Sequence, residues 1–102
     1  MLFGLSEKDM NAIVAILRKH NSVEQGVIFG SRAKGNYKAG SDVDIALKGN
    51  DLNYEVVRNI SHELNEETAM PYHFDVINFH TIESVDLKEH IERVGVSFYE
   101  LG

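Results

Sequence analysis

The chain has 102 residues, 16 acidic against 10 basic side chains, a formal net charge of −6 and no cysteine. That length fits one domain with a single modest core, expected over residues 1–102. The scattered Lys and Arg exclude a basic nucleic-acid stripe, the missing cysteines exclude disulfides and thiolate zinc, and no apolar run reaches the roughly 18 residues of a membrane span.

Met1 to Leu5 lacks the basic and long apolar regions of a secretory signal, so a cytoplasmic protein is expected. Ser6 reads as an N-cap, followed by Glu7 and Asp9 where the helix dipole favours acids. Met10, Ile13, Val14 and Leu17 then recur at helical spacing, which predicts an amphipathic helix over 7–20. Val27-Ile28-Phe29 reads as a short buried strand that ends at Gly30-Ser31. A short helix over 31–34, stopped by Gly35, and a loop over 36–40 follow.

Residues 42–48 alternate as a strand does. Val43, Ile45 and Leu47 point one way, and Asp42, Asp44 and Ala46 the other. Leu52, Val56, Val57, Ile60 and Leu64 mark a second amphipathic helix over 51–66. Residues 72–79 give a third strand, Ser84 or Asp86 opens a third long helix that Gly95 closes, and 96–101 form an edge strand. The expected architecture is α/β: a small mixed sheet with helices packed on one face and the other face partly open.

That open face carries the chemistry. Two carboxylates two residues apart on a strand leave the same side, about 6–7 Å apart. They repel each other in a partly desolvated site, and a divalent cation between them removes that penalty. All-oxygen ligands suit magnesium or manganese rather than zinc. Asp75 repeats the pattern, because Phe74 and Val76 take the core side of their strand. If the two strands are neighbours, three carboxylates converge, enough for a two-metal site acting on an in-line phosphoryl displacement. Gly30-Ser31, at a strand-to-helix junction, lets a phosphate approach backbone N–H groups and the Ser31 hydroxyl.

Gly30-Ser31, ten residues, then Asp42-Val43-Asp44 resembles the motif of the DNA polymerase beta-like nucleotidyltransferases. The flanks Phe29-Gly30-Ser31-Arg32-Ala33-Lys34-Gly35 and Ser41-Asp42-Val43-Asp44-Ile45 resemble the minimal nucleotidyltransferase (MNT) branch. The resemblance implies the polymerase beta-like fold and transfer of a nucleoside monophosphate, AMP from ATP, to a hydroxyl. It implies two magnesium ions on Asp42, Asp44 and Asp75, the third aspartate also helping to deprotonate the acceptor. Gly30, Ser31 and Arg32 would then bind nucleotide. It further implies a hetero-oligomer with a small helical HEPN-type protein, in which the MNT member is the antitoxin and a partner tyrosine the acceptor. Two alternatives stay open: an antitoxin that neutralises by contact alone, and a small-molecule transferase of the antibiotic-modifying kind.

The remaining polar residues are less informative. Arg32 reads equally as a phosphate contact or a surface residue, and Ser41 as a turn cap. Lys48 lies on the carboxylate face but at the strand end. The histidines at 20, 62, 73, 80 and 90 show no metal-ligand spacing, and only His73 is expected to share a face with Asp75. Ile77 and Phe79 share it too, and either line a nucleobase site or meet a partner.

Overall fold

The computed structural model describes residues 2–102. In chain order the elements are α1 (Glu7–Arg18), β1 (Gln25–Phe29), α2 (Gly30–Lys34), β2 (Val43–Lys48), α3 (Tyr54–Glu66), β3 (Phe74–Asn78), a 3-10 turn (Phe79–Thr81), α4 (Val85–Val94) and β4 (Val96–Glu100). The expected caps are present. Ser6 accepts from the Asp9 N–H and Ser84 from the Leu87 N–H, which satisfies donors that a helix start leaves free. Asn53 does the same for α3 through Val56, and so starts that helix later than its apolar spacing suggests.

The four strands lie in the order β3-β2-β1-β4. β1 is antiparallel to both β2 and β4, whereas β2 and β3 run parallel and are joined by α3. In register, Asp44 stands opposite Phe29 on β1 and beside Asp75 on β3.

Strand alternation sorts the side chains into two layers. Ile28, Val43, Ile45, Leu47 and Phe74 pack with Ile13 and Leu17 of α1 and Ile60 and Leu64 of α3, all buried. The other face holds a second cluster, Val27, Phe29 and Ala46 under Ile91 of α4, flanked by Ile77, Phe79 and Leu87. The mixed sheet agrees with the sequence reading, but helices on a single face do not: α1 and α3 cover one side and α4 covers part of the other. The reason is the stripe of Leu87 and Ile91, which is buried against the small Ala46 rather than against the main core. Among the described residues, no helix is long and apolar enough to cross a membrane.

Candidate active site

The strand periodicity that sends Ile45 and Phe74 into the main core leaves Asp44 and Asp75 on the α4 side of the sheet. They sit side by side on adjacent parallel strands, a separation of about 5 Å between backbones. Asp42, one step before β2, is exposed, as is Asp75, while Asp44 is partly buried. Burial raises the Asp44 carboxyl above the ordinary carboxylate range; the negative charges of Asp75 and then Asp42 raise it further, against smaller opposing effects of His73 and Arg32. The three carboxylates therefore already interact electrostatically. Among the described residues no three His, Asp or Glu side chains stand close enough to form a ready-made metal-binding group.

Gly30 borders this cluster. Its φ is +72°, a left-handed conformation that side chains disfavour, and a Cβ there would collide with Asp44 Oδ2. The glycine thus serves the Asp44 carboxylate directly. α2 begins here without any side-chain cap on its first turn. Ser31 lies at this start and is partly exposed. Gly30, Ser31, Asp42, Asp44 and Asp75 are thereby gathered at one end of the sheet.

Arg32 is placed differently. It is 3% exposed. Its Nε and Nη2 donate to the Ser41 carbonyl at 3.1 and 2.7 Å, and its Nη1 donates to the Phe3 carbonyl at 2.8 Å. The guanidinium lies 5.3 and 4.9 Å from the Tyr37 and Tyr72 ring centres. These are the contacts of a buried structural arginine that ties the loop before Asp42 to the N-terminal segment, not of a side chain open to phosphate. Lys48 lies at the far end of β2, 4.4 Å over the Phe79 ring, which separates it from the carboxylates. Ile77 and Phe79 pack into the cluster beneath α4.

One contact had no sequence signal. His90 on α4 accepts a hydrogen bond from the Gly30 N–H at 3.3 Å. Spacing within the chain cannot reveal this, because the two residues are 60 positions apart and meet only when α4 crosses the carboxylate face.

A mixed sheet bearing a glycine turn beside paired strand carboxylates is the architecture of a nucleotide-handling transferase. The chain belongs to the polymerase beta nucleotidyltransferase family: the model described as Polymerase beta, Nucleotidyltransferase matches residues 11–101. No curated protein matches the chain in sequence. Among solved structures, one described as a toxin–antitoxin with AMP-PNP is 22% identical at a TM-score of 0.75, over 91% of this chain and 74% of that one. The MntA–HpeT mutant Y104A toxin–antitoxin is 23% identical at 0.73, over 95% and 74%. The tri-AMPylated Shewanella oneidensis HEPN toxin in complex with MNT antitoxin is 20% identical at 0.67, over 90% and 70%. At these identities the likeness shows a shared fold.

Proposed function

We propose that this chain is a divalent-metal-dependent nucleotidyltransferase that moves AMP from ATP to a hydroxyl of a HEPN-type partner, and so acts as its antitoxin. The observation that carries this is the in-register pair Asp44 and Asp75 with Asp42 beside them, set against a Gly30 turn whose missing Cβ leaves space for the Asp44 carboxylate. The donor set fits magnesium or manganese, being all carboxylate oxygen, and the mutual repulsion that raises the Asp44 carboxyl is what a hard cation relieves. When bound, two such ions would neutralise charge on the reacting phosphate and on the leaving pyrophosphate.

The chain's own residues supply the rest. Asp42, Asp44 and Asp75 would hold the cations, and the Gly30-Ser31 backbone and hydroxyl would bind the triphosphate. The acceptor oxygen attacks the α-phosphorus, and the bond to the bridging oxygen breaks to release pyrophosphate. Asp75 is exposed on the edge strand β3, where an acceptor arriving from outside can pass its proton to the carboxylate. The AMP-PNP and AMPylated-toxin complexes of the similar folds support ATP and a HEPN acceptor.

The test is incubation of the purified chain with α-labelled ATP, magnesium and a co-expressed HEPN-type protein. Covalent label on the partner is expected, and Asp42→Asn with Asp44→Asn should abolish it. Absence of label with wild type, or label that survives the double substitution, overturns the proposal. Neutralisation by contact alone remains the second reading. It is favoured by Tyr54 and Val85, 79% and 66% exposed beside a groove lined by Val57, Ile77, Ile82 and Leu87. Under that reading the double mutant still silences its partner.

A further inference from the structure

The Gly30 N–H has a partner, the ring nitrogen Nε2 of His90, at 3.3 Å. Because the backbone N–H is the donor, Nε2 must present its lone pair, and the ring proton then resides on Nδ1. The imidazole is held by an edge-on contact with Phe29, with ring centres 6.2 Å apart and planes at 80°. His90 is partly buried, so the contact is neither a solvated accident nor a sealed core bond. An uncharged acceptor therefore occupies the very donor that the glycine turn would offer to a phosphate oxygen.

The surrounding charges make this position important. Arg32, whose charge acts on Asp44, is committed to the Ser41 and Phe3 carbonyls, while Lys48 and Lys88 lie 4.4 and 5.4 Å over the Phe79 ring. The charged residues carried by the two helices that meet at this contact are Arg32 and Lys34 on α2 and Asp86, Lys88, Glu89, Glu92 and Arg93 on α4. Arg32 is therefore not free to meet a triphosphate entering beside the three carboxylates.

We propose that His90 is a nucleotide-positioning residue that changes partner on binding. In the free protein it holds the Gly30 N–H. In the complex that N–H turns to a phosphate oxygen, and Nε2, now protonated, donates to the triphosphate. The proton reaches Nε2 from solvent, either as an addition that gives the imidazolium or in exchange for loss from Nδ1, and no other bond changes. The proposal rests on the nucleotidyltransferase reading above and adds to it the α4 side of the phosphate site.

Magnesium with AMP-PNP is titrated into the full chain by calorimetry, for wild type, His90→Ala and His90→Gln, and the histidine ring nitrogens are followed by NMR. His90→Ala is expected to weaken binding about tenfold, the loss of one hydrogen bond to a charged group. His90→Gln, whose amide both accepts and donates, should recover most of it. In wild type, the Nε2 signal should move from unprotonated to protonated when nucleotide is added. Unchanged or tighter binding by His90→Ala, or an Nε2 that stays unprotonated, overturns the proposal and reduces His90 to a structural cap. Failure of wild type to bind AMP-PNP overturns the nucleotidyltransferase reading as well, so the two failures are distinct. If His90→Ala does not fold, His90→Gln and the wild-type NMR signal decide.

Discussion

Two glycines separate backbone strain from active-site crowding. Gly30 opens α2 and Gly35 caps its end, with φ of +72° and +87°. Alanine at either position must adopt a left-handed backbone, which costs about 1–2 kcal/mol. At Gly35 nothing lies within 4 Å of the added Cβ, so that backbone cost is the whole effect. At Gly30 the Cβ falls on Asp44 Oδ2, and the partly buried carboxylate must move as well. Gly35→Ala should therefore lower Tm by about 4–16 °C, given roughly 4–8 °C per kcal/mol for a domain of this size. Gly30→Ala should lower it further and cut AMP transfer at least 100-fold, while Gly35→Ala leaves transfer within about threefold of wild type. The assay is thermal unfolding by circular dichroism beside labelled-ATP transfer. Adding Asp44→Gly, which removes the obstructing carboxylate, should erase the extra loss of stability at Gly30 but not at Gly35. Equal Tm losses for the two alanines, or no rescue by Asp44→Gly, would refute the reasoning that Gly30 is glycine for the sake of Asp44.

Asp44→Asn should stabilise the metal-free protein at pH 7 to 8. The folded carboxyl is raised, so the native state binds its proton more tightly than the unfolded chain, and stability is lost as pH rises through the raised value. The gain should vanish below about pH 3, where both states are protonated, and urea titration across pH measures it; a loss of stability at pH 8 refutes the assignment. Arg32→Met should cost about 2–4 kcal/mol in urea unfolding, because the Ser41 and Phe3 carbonyls lose their donors, and the loop before Asp42 should become protease-sensitive. Phe74→Ala, at a side chain 1% exposed, should cost about 3–5 kcal/mol by the same measurement; transfer activity assayed well below its Tm should survive, since the side chain faces away from Asp75.

The legible parts of the sequence were those with short period. The alternation of Val43, Asp44, Ile45 and Ala46 gives β2 and both of its faces, and the caps at Ser6 and Ser84 lie within one helical turn of what they cap. Gly30-Ser31 and the aspartates could be read for the same reason, each being a local feature whose spacing a strand or turn dictates. The place of α4 was not legible. Its stripe of Leu87 and Ile91 shows that one side is buried but not which sheet face buries it. Arg32 escaped for a related reason: its acceptors are the backbone carbonyls of Phe3 and Ser41, and carbonyls carry no sequence signal.

The position of α4 also bears on the surroundings of Asp44. A sheet face left wholly open would hydrate Asp44, and water would screen it from Asp75 and Asp42. α4 covers Val27, Phe29 and Ala46 on the same sheet face that carries Asp44, and Asp44 is itself only partly exposed. Burial is accordingly the first cause of its raised carboxyl, ahead of either neighbouring charge. The same helix delivers His90 to Gly30. Under the proposed function, a metal-bound triphosphate would relieve the raised Asp44 carboxyl and replace His90 at the Gly30 N–H in one event. Affinity for such a ligand is set by the difference between the resting contacts and the bound ones, and α4 supplies the His90 part of the resting set.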